Sequence, residues 1–115
     1  MQNEKQYINI EEGLGRVRNN QGLYVKMLQM FLANDSLDTL KEAYAAGDMA
    51  KAADVAHGIK GMTGNLSLSA VYQESTQLNE DFKNGVAVSQ EAFDGFVKTY
   101  EETVSVVTKT ISELS

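Results

Sequence analysis

Apolar residues recur at helical spacing through most of the chain. Phe93, Val97, Tyr100, Val104, Val107, Ile111 and Leu114 follow one another in alternating steps of four and three. That is the seam a long helix presents to a bundle. Val71, Ser75, Leu78 and Phe82 mark one face of the preceding segment. Further upstream, Leu23, Met27, Met30 and Phe31 start a helix that bends near "NDS" (34–36) before Leu37, Leu40 and Tyr44. Ile10, Leu14 and Val17 predict a short leading helix, weakened by Gly13 and Gly15. Punctuation falls between these segments. "AAGD" (45–48) puts Gly47 at a helix end and Asp48 at the next N-cap, and "KNGVAVSQE" (83–91) does the same with Gly85 and Ser89. "NLSLS" (65–69) offers Ser67 or Ser69 as a further start. Short connections make neighbouring helices antiparallel. The expectation is an all-α fold, an up-down antiparallel four-helix bundle with a short additional N-terminal helix. The Met, Phe and Tyr stripes read as core packing and require no cofactor.

Composition fits this pattern and narrows the function. With 115 residues the chain is expected to form a single domain over 1–115. It has no proline and is rich in good helix formers. A net charge of −6, from 16 acidic against 10 basic residues, repels nucleic acid and anionic lipid, so protein partners are expected. The absence of cysteine excludes disulfides, thiol nucleophiles and thiolate metal sites. A single histidine argues against a transition-metal centre, and no EF-hand calcium loop is present. No run reaches the ~18–20 apolar residues that span a bilayer. The start lacks the pattern of a secretory signal, and a cytoplasmic location is expected.

The lone histidine stands in "DVAHGIKGMTGNL" (54–66), with Gly58, Gly61 and Gly64 behind it. At ~100° per residue, Met49, Ala52, Val55, Ala56, Ile59, Met62, Thr63 and Leu66 share one broad arc that faces the core. On the same count His57 lies roughly 150° from the centre of that arc and faces out. Ala53, Lys60 and Gly61 are its neighbours one turn away, with Gly64 two turns on. Glycine inside a helix costs up to ~1 kcal/mol relative to alanine. Gly61 and Gly64 accept that cost on a face where no packing demands a small residue, and so clear side chains from around His57. Gly58 points elsewhere. Imidazole is partly neutral and nucleophilic near neutral pH, and Lys60 can set an ammonium beside a phosphoryl group carried on the ring. Such transfer needs little beyond positioning and charge neutralisation. The chain has no P-loop, kinase glycine loop or acidic Mg²⁺ triad, so a phosphoryl group would arrive on a partner that supplies its own metal. An ordinary surface histidine with incidental glycines fits the spacing about as well.

"AHGIKGMTGNL" resembles the signature of histidine phosphotransfer (HPt) domains, whose core reads A-H-x-L-K-G-x-x-x-x-L-G. Ala56, His57, Ile59, Lys60, Gly61 and Leu66 fall on it in register. "MLQMFLAND" and "LKEAYAAGDMAKAADVAHGIKG" resemble the family's upstream stretches, so the likeness runs from about residue 7 to 84. The resemblance implies a monomeric four-helix-bundle phosphocarrier working between the receiver domains of response regulators and a hybrid sensor histidine kinase. His57 would be the phospho-acceptor, Lys60 the charge partner of the phosphoryl group, and Gly61 the point of close receiver approach. No cofactor is implied, Mg²⁺ being held by the receiver. Asn79 stands where the family often has a Gln or Glu that orients the ring. Ser67 replaces the usual glycine, and Glu74 a common leucine. Ala53 and Gly64, with Ile10 and Leu14 as a neighbouring apolar patch, are the expected docking surface. Ile10 and Leu14 would equally serve to cap the end of the bundle. A histidine-kinase dimerisation domain is disfavoured, since Gly58, Ile59 and Lys60 follow the histidine in place of H-E-[LIF]-R-[TN]-P. The alternative function is a helical adaptor or receiver-binding module without phosphoryl chemistry, for which a buried, untitrating His57 would be the mark.

Overall fold

The computed structural model describes residues 6–115, so residues 1–5 of the expected domain lie outside the described residues. Its helices are α1 (Ile10–Arg16), α2 (Gln21–Leu32), α3 (Ser36–Ala45), α4 (Met49–Leu66), α5 (Ser69–Lys83) and α6 (Gln90–Leu114). Every regular element among the described residues is helical. Where one bent helix was expected over Leu23–Tyr44, there are two, α2 and α3. Ser36 N–H donates to the Asn34 side chain at 2.7 Å in the break between them.

Local chemistry sets the remaining boundaries. Asn9, Asn20, Asp48 and Ser89 each accept a hydrogen bond from a backbone N–H three residues on, at 3.0, 3.0, 3.1 and 3.1 Å. These bonds satisfy donors that a helix start leaves unpaired. Asp48 and Ser89 cap as their spacing predicts. Gly47 and Gly85 take left-handed φ of 72° and 71° just past the ends of α3 and α5. There Asp48 N–H reaches back to Ala43 O at 2.9 Å and Val86 N–H to Asp81 O at 2.8 Å. These are Schellman stops.

A third such stop corrects the reading of "NLSLS". Ser67 has φ 58°, its N–H bonds Gly64 O at 3.3 Å, and Leu68 N–H bonds Thr63 O at 2.9 Å. It ends α4 rather than starting α5. Ser69 is the first helical residue of α5, and no side chain caps that helix.

Packing centres on α4, which lies most extensively against α5 and also touches α3, α2 and α1, while α6 covers α2 and α5. The core joins Tyr24, Leu28 and Phe31 of α2, Leu40 of α3, Ala56 and Ile59 of α4, Val71 and Phe82 of α5, and Phe96 and Val107 of α6. Tyr44 stacks on Phe93 with centroids 4.1 Å apart, and its hydroxyl donates to Val88 O at 2.6 Å. The buried face of α6 is wider than its apolar seam. Thr103 and Thr110 lie inside because their hydroxyls donate to the carbonyls four residues back, at 2.8 and 2.9 Å. Gly13 also differs from expectation. It is buried, and a Cβ there would overlap the Tyr24 ring, so it is what allows α1 to close on α2 rather than a weakness in α1.

Candidate functional site

His57 projects from the middle of α4 into solvent, because Ala56 and Ile59 on either side take the core positions. Its imidazole makes no hydrogen bond among the described residues. Lys60, one turn on, is half-buried and forms no ion pair among them. Gly61 is exposed, and a Cβ on it would meet nothing within 4 Å. Gly58 has the same open surroundings.

Gly64 is different. A Cβ there would come within 3.0 Å of the Tyr72 ring. Packing does demand a small residue at this position, contrary to the expectation that the outward face imposed no such demand. Tyr72, on the first turns of α5, leans over the bare backbone of α4 and stays 39% exposed.

The imidazole opens onto a cavity of about 550 Å³ between three helices. His57, Lys60, Gly61, Thr63, Gly64 and Asn65 line it from α4, Glu12 and Arg16 from α1, and Ser69, Tyr72 and Gln73 from α5, with Ser67 in the turn. The sequence does not single out Glu12, Arg16, Tyr72 and Gln73, and it marks Ser67 only as a helix start or a replaced glycine. The one local signal for the first two was their i, i+4 spacing, which suits an ion pair.

Ser67 ties this corner together. Its backbone oxygen accepts from Asn9 N–H at 2.9 Å, and its hydroxyl donates to Glu12 Oε1 at 2.7 Å. The same hydroxyl oxygen accepts from Arg16 Nε at 3.2 Å, and Arg16 Nη2 stands 3.6 Å from Glu12 Oε1. Beneath them Tyr24 donates to Leu66 O at 2.8 Å. Burial, then the Glu12 carboxylate, pushes the Tyr24 phenol up to about 12, so it remains a donor.

The other expected site residues take different places. Asn79 donates its amide N–H to Ala53 O at 2.9 Å. It therefore anchors α5 to the turn of α4 below His57 rather than orienting the ring. Ala53 is half-buried beside that bond. Ile10 and Leu14 are partly buried against the core and do not line the cavity; α1 presents Glu12 and Arg16 there instead. The apolar side of α1 thus packs on the bundle core. Glu74 accepts from Thr99 Oγ1 at 3.1 Å, which accounts for a carboxylate on that face.

Chemically, the arrangement is a solvent-facing imidazole in a cavity lined also by two cations and the Glu12 carboxylate, in a chain of net charge −6. That combination suits a small dianion attached to the ring. No group of three or more His, Cys, Asp or Glu able to hold a metal ion occurs among the described residues. No helix among them is long and apolar enough to cross a membrane. A family model described as Hpt domain matches residues 26–114. No curated protein and no solved structure matches the chain.

Proposed function

Because the chain belongs to the Hpt domain family, whose members carry phosphoryl groups between receiver domains and kinases in phosphorelays, we propose that this protein is a stoichiometric phosphocarrier acting through His57. The observation that carries the reading is the exposed imidazole, free of hydrogen bonds among the described residues, one turn from an unpaired lysine. We read the chain as a single domain and a monomer. We read its bundle as four antiparallel members, the α2–α3 pair, α4, α5 and α6, with α1 packed on α2 and α4.

In the proposed step, the unprotonated ring nitrogen of His57 attacks the phosphorus of a receiver's aspartyl phosphate. The N–P bond forms as the P–O bond breaks, and the electron pair returns to the aspartate as a carboxylate. The ring keeps its other N–H and becomes a phosphoimidazolium. Lys60 meets the negative charge on the transferred oxygens, and the bare backbone at Gly61 lets the receiver approach. Mg²⁺ belongs to the receiver, and no cofactor is assigned to this chain. The partners are receiver domains of response regulators and a hybrid sensor kinase, in the cytoplasm. Neither nucleic acid nor membrane is proposed as a partner.

The exposure of His57 supports this reading over an adaptor without chemistry, for which a buried, untitrating imidazole is expected. The test is incubation with a panel of receivers carrying ³²P-labelled aspartyl phosphate. The reading expects label on this chain that is lost in acid and kept in base, taken up more slowly by Lys60→Ala. Label lost in base, as from an acyl phosphate, would overturn it.

A further inference from the structure

We propose that Arg16 is a second cation for the phosphoryl group on His57, held in reserve by Glu12 and Ser67 and transferred to the phosphate when the ring is loaded. This rests on His57 being the phospho-acceptor.

Arg16 is far from His57 in sequence, yet α1 brings it to the wall of the same cavity. Its stem is fixed where Nε donates to Ser67 Oγ at 3.2 Å. The fork beyond is weakly held: Nη2 lies 3.6 Å from Glu12 Oε1, with both side chains about half exposed, at 50% and 52%. An exposed pair of this kind contributes little and is readily exchanged. Nε is the only one of the five guanidinium N–H groups with a hydrogen-bond acceptor among the described residues. A phosphoryl group brings close to two negative charges and three strong acceptor oxygens. It can engage the guanidinium through two parallel bonds, which a carboxylate at 3.6 Å does not.

Glu12 and Ser67 then have a defined role. Ser67 is buried and donates to Glu12 Oε1 at 2.7 Å, so the carboxylate keeps a partner after Arg16 leaves it. Before loading, Arg16 faces the Glu12 carboxylate, and Lys60 lines the same cavity without an ion pair among the described residues. After loading they face a dianion as well, and Glu12 opposes it. Glu12 thus competes with the phosphate for Arg16, and removing its charge favours the loaded state.

The signs of two substitutions test this. The full chain is loaded with phosphoramidate: in its zwitterionic form the P–N bond breaks, neutral ammonia leaves with the electron pair, and the phosphoryl group joins the unprotonated ring nitrogen. Loading and the first-order loss of phosphohistidine after donor removal are followed by ³¹P NMR. Arg16→Ala is expected to lower loading and speed loss by roughly two- to fivefold, the range of an exposed charge pair. Glu12→Gln, which keeps an acceptor for Ser67, is expected to shift both in the opposite direction, and Arg16→Lys to fall between wild type and Arg16→Ala. The Arg16 Nε–H resonance is expected to move on loading. Equal loss rates in wild type, Arg16→Ala and Glu12→Gln, with an unmoved resonance, overturn the role of Arg16 while leaving the phosphocarrier reading intact. Should Arg16→Ala not fold, Glu12→Gln and the resonance decide. Wild type that does not load, or loads equally as His57→Gln, overturns the phosphocarrier reading itself.

Discussion

The Tyr72 ring on α5 lies over Gly64 on α4, so close that a Cβ would come within 3.0 Å of it. The aromatic wall of the cavity therefore exists because one residue of α4 has no side chain. Replacing Gly64 with alanine gains helix propensity of about 1 kcal/mol, but the added methyl must displace the Tyr72 ring, which is 39% exposed, and the two effects oppose each other. Stability of Gly64→Ala, measured by thermal unfolding, is expected to stay near wild type. Transfer from a receiver is expected to slow as the cavity is reshaped. Unchanged transfer would show that Tyr72 does not contribute to docking.

Gly58 and Gly61 offer the contrast, since a Cβ on either meets open space. Gly58→Ala and Gly61→Ala are each expected to stabilise the fold by about 0.5–1 kcal/mol. Only Gly61→Ala is expected to lose transfer rate, because its methyl faces the approaching receiver. Chemical denaturation paired with transfer kinetics separates the two effects.

Gly13 has no such room. Gly13→Ala forces a methyl into the Tyr24 ring, which is fully buried and bonded to Leu66 O at 2.8 Å. Overpacking of this kind costs about 1–3 kcal/mol. A lower unfolding midpoint is expected, with α1 amides losing protection from hydrogen exchange first.

How much of this was legible depended on how local the signal was. The seam of α6 and the caps Asp48 and Ser89 could be read because each lies within a few residues of chain. So could the outward placing of His57, Lys60 and Gly61, which share two turns of one helix. Arg16, Glu12 and Tyr72 could not be assigned to the site, because only tertiary packing brings α1 and α5 to the cavity. The end of α4 was hidden because Ser67 takes a left-handed φ of 58°, which glycine serves at Gly47 and Gly85. Its ties to Glu12, Arg16 and Asn9 help offset that conformation. The partner of Asn79 was hidden for the same reason as Arg16: its amide N–H goes to the Ala53 carbonyl of another helix.

Among the described residues, one buried polar side-chain atom of the core lacks a partner. Tyr100 packs its ring 5.3 Å from Phe31, yet its buried hydroxyl has no hydrogen-bond partner among the described residues. An unmet buried polar group costs about 1–3 kcal/mol. Tyr100→Phe keeps the ring and is expected to raise the melting temperature, a gain read by calorimetry.

Alkaline stability follows from the same residues. Burial, aided by Glu12 for Tyr24 and by Asp38 for Tyr100, pushes both phenols from 10.0 up to about 12. Their neutral forms are favoured in the fold, so this contribution is fully present below pH 10.0. It is lost as the pH rises toward 12, because the unfolded chain releases these protons first. Unfolding free energy is expected to decline across that window, and less steeply in Tyr100→Phe.

The most direct test of the central claim is phosphoryl transfer to His57→Gln from a receiver that labels the wild-type chain. The substitution falls on an exposed side chain without hydrogen bonds among the described residues, so the helix is expected to persist, as circular dichroism will record. The account predicts complete loss of acid-labile, base-stable label from the folded variant. Label that persists at the wild-type level in His57→Gln would contradict it.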